Sequence, residues 1–213
     1  MITLSFSTLD ATEKCNQYWL NKMQRLETVD FPWFQTGKKL HNIIQEHVSG
    51  KKEDKRLTNG GITLPEFKFP IVEEKDFDER LKFTIKIDEN YEIIGFLDGI
   101  DPKRKRFLEI KPSNVLWSLR KFLTSPQRKI YAWAFPDFKE MVGISCEKKL
   151  IDPKETEVKV KSFILPLTKK DIQEAKDWVN ERIKIIEEGK FDGGSDINCS
   201  FCVYNESCPK AFK

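Results

Sequence analysis

The sequence predicts a mixed α/β domain in which helices cover a small β-sheet. Three observations carry that expectation. Residues Leu81-Lys82-Phe83-Thr84-Ile85-Lys86-Ile87 alternate with period two, as a half-buried strand does. Apolar residues recur at helical spacing in several longer segments, most clearly over Lys169 to Glu188. The elements also run helix, helix, three strands, helices, two strands, helix and a cysteine-bearing tail, an order that suits helices packed on a sheet. With 213 residues, 39% hydrophobic and 33% charged, the chain can bury one core and still carry a highly charged surface. One domain over 1–213 is expected, with its core at about 30–190 and an appended element formed by Cys15 and residues 192–213.

From the N-terminus, Ser7 and Asp10 read as a capping pair for a helix over Thr8 to Arg25, stopped by Pro32. A second helix is expected from Trp33 to Val48, ending near Gly50, and residues 50–65 read as a loop. Strands follow at 81–87, Tyr91 to Asp98 and Arg106 to Lys111. Asp88-Glu89-Asn90 is the first turn, and the short connections imply a three-stranded meander. Pro112 is expected to end the third strand. Helical patterns occupy 114–123 and 126–135, strands 140–150 and 158–165, and Gly189 is a good C-cap for the last helix.

Charge and composition exclude some classes. No run of 18 apolar residues exists, so no membrane span is expected. The opening Met1-Ile2-Thr3-Leu4-Ser5 lacks a basic stretch followed by a long apolar one, so no signal peptide is expected and the cytoplasm is the expected compartment. A net charge of +3 does not by itself argue for a nucleic-acid partner. Lys103-Arg104-Lys105-Arg106 reads first as a solvated turn between strands, and secondarily as a set of phosphate contacts.

Chemistry concentrates on two strands. In Phe107-Leu108-Glu109-Ile110-Lys111, residues two apart share a face, so Glu109 and Lys111 project together while Leu108 and Ile110 enter the core. A neighbouring strand ending at Asp98 can set a second carboxylate beside Glu109. Two close carboxylates repel unless a cation sits between them, and hard oxygen donors favour Mg²⁺ or Mn²⁺. A lysine at this spacing can orient a water or offset charge on a phosphate, which together make a phosphodiester-cleaving set. Turn and surface charges produce the same pattern without function, so the residues around it matter. His41, on the second helix, can add an imidazole ligand. Gln127 and Tyr131 are four apart on one helix face and suit contacts to nucleic acid, or else a core tyrosine beside a surface glutamine.

Five cysteines, an odd number, argue against a disulfide framework. Cys199, Cys202 and Cys208 cluster in the tail, Cys15 is the natural fourth ligand, and Cys146 reads as a core residue in a strand. The spacing does not choose between zinc and an iron–sulfur cluster.

Taken together, these motifs resemble the RecB-like exonucleases of the PD-(D/E)XK superfamily. The likeness is to members with a C-terminal cysteine cluster, including CRISPR-associated RecB-like exonucleases and the nuclease domains of AddB-type helicase-nucleases. Leu4-Ser5-Phe6-Ser7-Thr8-Leu9 with Cys15 and Tyr18 is similar to the opening motif, and Gly37 to His41 to the histidine motif. Gly95 to Asp98 and Glu109-Ile110-Lys111 are similar to the metal and lysine motifs, Gln127 to Tyr131 to the Gln-x-x-x-Tyr motif, and Cys199 to Pro209 to the cluster motif. Asn16 and Thr12 depart from the usual proline and aromatic residue.

The resemblance implies a restriction-endonuclease-like core. It implies Mg²⁺ or Mn²⁺ held by His41, Asp98, Glu109 and the backbone carbonyl of Ile110, with Lys111 acting on the attacking water. It further implies Gln127 and Tyr131 contacting DNA or supporting the site, and a [4Fe–4S] cluster, or alternatively Zn²⁺, on Cys15, Cys199, Cys202 and Cys208. The implied activity is exonucleolytic cleavage of DNA that is single-stranded or has single-stranded ends, in CRISPR adaptation, recombination and repair, or phage DNA processing. An integrase or a helicase is the implied protein partner. No Gly-x-x-x-x-Gly-Lys-[Ser/Thr] loop is present to supply a motor in this chain. The alternative is a non-catalytic nucleic-acid-binding or assembly module with a structural zinc or iron–sulfur site.

Overall fold

The computed structural model describes residues 1–13, 15–29, 31–51, 57–59, 62–63, 68–72, 79–147, 158–191, 202–204 and 206–208. The strands are β1 (Ile2–Leu4), β2 (Leu57–Asn59), β3 (Ile62–Thr63), β4 (Ile71–Val72), β5 (Lys82–Lys86), β6 (Tyr91–Phe96), β7 (Gly99–Asp101), β8 (Arg106–Ser113), β9 (Glu140–Glu147) and β10 (Val158–Pro166). The helices are α1 (Phe6–Asp10), α2 (Asn16–Met23), α3 (Pro32–Val48), α4 (Leu119–Thr124), α5 (Pro126–Ala134) and α6 (Lys169–Glu188). They fall into two compact units. The first comprises Met1–Phe31, Thr84–Gly95 and Gln173–Lys213, and the second Pro32–Phe83 and Phe96–Ile172.

In the first unit, β1 pairs parallel to β6, and β6 also neighbours β5. Asp88 closes the β5–β6 turn by accepting from the backbone N–H groups of Asn90 and Tyr91 at 2.7 and 2.9 Å. The expected helix over Thr8 to Arg25 is two helices separated at Cys15. Cys15 caps α2, its Sγ accepting from Tyr18 N at 3.3 Å. The capping pair at the first helix is Ser5 with Thr8 rather than Ser7 with Asp10, because Ser5 has the extended backbone a cap requires. Phe6 stacks on Trp178 of α6 at 5.9 Å, and Arg182 pairs with Glu13 at 2.9 Å.

The second unit is built on a seven-stranded mixed sheet ordered β3-β2-β10-β9-β8-β7-β4. β8 and β9 are parallel, joined by the crossover through α4 and α5, and β10 returns antiparallel to β9. One face is covered by α3, whose Leu40, Ile44 and Val48 pack with Leu108, Ile110, Val142, Ile144, Cys146, Val158 and Val160. Cys146 is a core residue, as its strand pattern implies. The other face receives α4 and α5. Phe122 sits so close over Gly143 that a Cβ there would stand 2.9 Å from its ring. Tyr131 meets the rings of Phe83 and Phe107 edge-on at 5.4 Å each.

Four further expectations change. Residues 50–65, read as a loop, carry β2 and β3. The meander is divided, because the chain leaves the first sheet after Phe96 and joins the second at Gly99, so β7 rather than β6 pairs with β8. Pro112 does not end β8, which runs on to Ser113 with Pro112 opposite Cys146. Backbone groups on alternate residues of a strand point the same way. Pro112 therefore lacks its N–H on the side where Ile110 donates to Asp98, away from β9, and the β8–β9 ladder loses nothing. Finally, Arg106 is not part of a solvated turn. It is 7% exposed, lies over the Phe69 ring at 4.9 Å, and pairs with Asp101, its register partner, at 3.4 Å.

The seat of α5 is electrostatic. Arg128, 4% exposed, makes two bonds to Asp171 at 2.8 and 2.9 Å and two more to the carbonyls of Leu123 and Pro166. Burial works against the Asp171 charge, but the bonds from Arg128 and Thr168 outweigh it and hold its carboxyl below the ordinary range. Removing one partner leaves a poorly solvated charge behind. Arg128→Ala is expected to lower unfolding free energy by about 3 kcal/mol at neutral pH, read from urea denaturation.

Candidate active site on the open edge of strand eight

β7 pairs with β8 only at Gly99↔Leu108, Ile100↔Phe107 and Asp101↔Arg106. Beyond Leu108, β8 continues past the end of its neighbour, and continuing the register one step sets Asp98 opposite Glu109. The Ile110 N–H has no β7 partner there and donates instead to Asp98 Oδ2 at 2.6 Å. In a strand the N–H and C=O of one residue point to the same side, so the Ile110 carbonyl also faces this edge.

Helix α3 grips Asp98 with two side chains one turn apart. His41 Nε2 lies 3.1 Å from Asp98 Oδ1, and Gln45 Nε2 donates to the Asp98 carbonyl at 3.2 Å. Gln45 was not singled out in the sequence, although its i,i+4 spacing from His41 was the available signal.

On β8, Glu109 and Lys111 share a face as expected, with Lys111 Nζ 2.5 Å from Glu109 Oε1. The same ammonium donates to Gln127 Oε1 at 2.6 Å, Gln127 Nε2 donates to the Tyr131 hydroxyl at 2.6 Å, and that hydroxyl donates to the Phe96 carbonyl at 3.0 Å. This relay fixes Gln127 with its carbonyl toward the lysine. Tyr131 is 3% exposed, so of the two roles expected of the pair the geometry displays the supporting one. Ser145, opposite Lys111 in the ladder, donates to the Lys111 carbonyl at 3.2 Å and accepts from Trp117 N at 2.9 Å. The indole of Trp117 then faces the Lys111 ammonium at 5.6 Å. Neither residue carried a recognisable signal in the sequence.

Glu109 is the electrostatic centre. It is 4% exposed, and its second oxygen, Oε2, is buried with no partner at hydrogen-bond distance among the described residues. Burial pushes its carboxyl up to about 7, Lys111 opposes the rise, and the Asp98 charge adds to it. Tyr131 is raised well above the ordinary phenol range, by burial first and then by the charges of Glu109 and Asp98.

Among the described residues, no three His, Cys, Asp or Glu side chains already form a cage for an ion. The donor set still suits a hard divalent cation. The Glu109 and Asp98 carboxylates and the His41 imidazole converge there, with Glu109 Oε1 on Lys111, the Asp98 oxygens on His41 and the Ile110 N–H, and Glu109 Oε2 unmatched among the described residues. His41, Asp98, Glu109 and the Ile110 carbonyl are the groups that could hold it.

Cys15, Cys202 and Cys208 lie in the first unit. Cys15, Cys202 and Cys208 are half-buried and form no disulfide, and Cys199 lies outside the described residues. The tail docks on the N-terminal segment through Val29 N to the Val203 carbonyl at 2.8 Å and Ser207 Oγ to the Glu27 carbonyl at 3.0 Å. Tyr204 meets Tyr18 edge-on at 5.1 Å. Burial raises the Tyr18 phenol, and Tyr204, Cys202 and Cys15 are among the charges that raise it further, so both cysteines are near one ring.

A carboxyl held near 7 while folded, against about 4.5 when unfolded, contributes stability below the lower value, and that contribution fades as pH rises to the upper one. The ion-free protein is therefore expected to lose on the order of 3 kcal/mol between about pH 4.5 and 7 through this group, and Glu109→Gln should flatten that window in denaturant titrations.

No family model matches the chain, and no curated protein sequence matches it. Solved structures do resemble it. A protein designated SSO0001 is 16% identical, with a TM-score of 0.53 over 99% of this chain and 88% of that one. A protein from Eubacterium rectale, provisionally described as an exonuclease, is 13% identical, with a TM-score of 0.55 over 92% of this chain and 86% of that one. The sheets flanked by helices thus form a mixed α/β fold of the restriction-endonuclease-like kind.

Proposed function

We propose that this protein is a metal-dependent nuclease that hydrolyses DNA phosphodiester bonds, acting as an exonuclease on single strands or single-stranded ends. The observation that carries this reading is Glu109. A buried carboxylate with one unmatched oxygen, beside a second carboxylate and a lysine, is costly unless the site is meant to receive positive charge. Support also comes from the restriction-endonuclease-like fold and from the exonuclease description of the E. rectale protein that shares it.

In this reading His41, Asp98, Glu109 and the Ile110 carbonyl hold Mg²⁺ or Mn²⁺. The ion, when bound, neutralises phosphate charge and acidifies a nearby water. Asp98 is held in place by His41 and Gln45. Lys111, which meets Glu109 Oε1 and Gln127, would orient the attacking water and offset charge growing on the phosphate. Gln127 keeps the ammonium aimed, and Tyr131 keeps Gln127 aimed. Glu109 would have to be ionised to hold a cation, so metal affinity should rise with pH through about 7.

Cys15, Cys199, Cys202 and Cys208 are proposed to carry a [4Fe–4S] cluster, with zinc as the competing metal. The tail's docking beside Cys15 and the shared environment of Cys15 and Cys202 support the ligand set. CRISPR adaptation is the leading setting, ahead of recombination-dependent repair and phage DNA processing, with an integrase or a helicase as partner. The cytoplasm is the proposed location, and no helix among the described residues is long and apolar enough to cross a membrane.

Two measurements check this. End-labelled single strands with Mn²⁺ should be degraded by wild type and at least about 100-fold more slowly by Lys111→Ala. Equal inactivity of both on single- and double-stranded substrates points to a non-catalytic binding module. Protein purified without oxygen should be brown, with acid-labile sulfide and a broad absorbance near 400 nm lost in Cys202→Ala. A colourless, zinc-containing preparation rejects the cluster.

A further inference from the structure

We propose that residues 113–124, which leave the end of β8 and form α4, are a ledge for unpaired nucleotides that presents single-stranded nucleic acid to Lys111. This rests on the nuclease reading above and assigns the substrate surface of that same site.

The ledge is apolar where a surface is usually polar. Six large hydrophobic residues of the second unit are exposed among those described, and three fall within this short stretch: Val115 at 77%, Leu119 at 45% and Leu123 at 37%. Leu119 and Leu123 are one turn apart and share a side of α4. An adjoining side of the helix is already committed, because Phe122 is buried against Gly143 and in contact with Trp117 and Phe163. Their exposure therefore follows from how the segment is seated. The seat is rigid, with Ser145 holding Trp117 N and Ser113 Oγ donating to the Val115 carbonyl at 2.6 Å.

The ledge is also positive. No Asp or Glu occurs between Glu109 and Asp137, in a chain that has 34 of them. Arg128 in that interval is neutralised by Asp171, which leaves exposed Arg120 and Lys121 to set the charge of α4. The ledge adjoins the site directly, since Lys121 and Lys111 face the same Trp117 ring, at 4.5 and 5.6 Å from its centre.

A duplex hides the faces of its bases and presents phosphates, whereas an unpaired strand presents both. Exposed aliphatic side chains beside a pair of cations, with no acids in the segment, match the unpaired strand. A second copy of this chain would cover the aliphatic groups but would have to bury those cations as well.

The test uses fluorescence anisotropy with a 20-nucleotide oligothymidylate and a blunt duplex of equal length, in EDTA so that nothing is cleaved. Val115→Ser/Leu119→Ser/Leu123→Ser should weaken single-strand binding about tenfold or more and duplex binding less than about twofold. Arg120→Gln/Lys121→Gln should weaken both and reduce the slope of log affinity against log salt by about 1 to 1.5 on single strands. All five side chains are exposed, so melting temperatures should match wild type. Unchanged single-strand affinity in the triple variant overturns the ledge, as does equal loss on duplex, or conversion of a wild-type dimer to a monomer in sedimentation. Cleavage is read separately. A wild type that degrades DNA while the triple variant keeps full affinity sinks the ledge and spares the nuclease reading. A wild type that binds strands through these residues but never cleaves sinks the nuclease reading and keeps the ledge.

Discussion

The bond from the Ile110 N–H to Asp98 organises the candidate site. Because β7 is only three residues long, β8 outruns it and presents a backbone donor with no ladder partner. A carboxylate placed one residue before β7 answers that donor, and in doing so becomes fixed beside Glu109. His41 and Gln45 then need only reach a group that the sheet has already oriented. The site is thus a by-product of unequal strand lengths, with the α3 helix closing it from one face and α5 from the other.

Around this bond, positive charge is placed with unusual economy. Glu109 is too buried to remain ionised easily, and a single lysine answers it while also meeting Gln127 and the Trp117 ring. The lysine's second contact leads through Gln127 and Tyr131 to the Phe96 carbonyl, two residues before Asp98. Glu109 is thereby tied to a relay of hydrogen bonds that runs from β8 through α5 to the end of β6. Such a relay restrains the side chains that it joins, a form of electrostatic preorganisation.

Much of this was legible in the sequence, because it rests on local periodicity. Period two put Glu109 and Lys111 on one face, and i,i+4 spacing put Gln127 beside Tyr131. The last helix and its glycine cap fell where apolar spacing and turn chemistry placed them. Partners set by distant chain were not legible. Ile2 pairs with Tyr91, Val158 with Leu57, and Arg128 with Asp171, none of which has a local signature. Arg106 looked like one charge in a basic run until the hairpin register set it against Asp101. Gly143 and Ser145 read as ordinary strand residues, yet one admits Phe122 and the other ties Trp117 to Lys111. Cysteine spacing groups three thiols in the tail and cannot choose between zinc and iron–sulfur, which draw on the same thiolates.

Pro112 has one more effect. A strand that outruns its neighbour offers an unpaired ridge to any extended peptide, and such ridges seed intermolecular β-stacking. The prolyl ring removes the next donor along that ridge after Ile110, whose own donor is already occupied by Asp98. A foreign strand approaching this margin would find no two successive donors to zip onto. The gap in the sheet can therefore stay open to solvent without making the protein prone to fibril-like self-association.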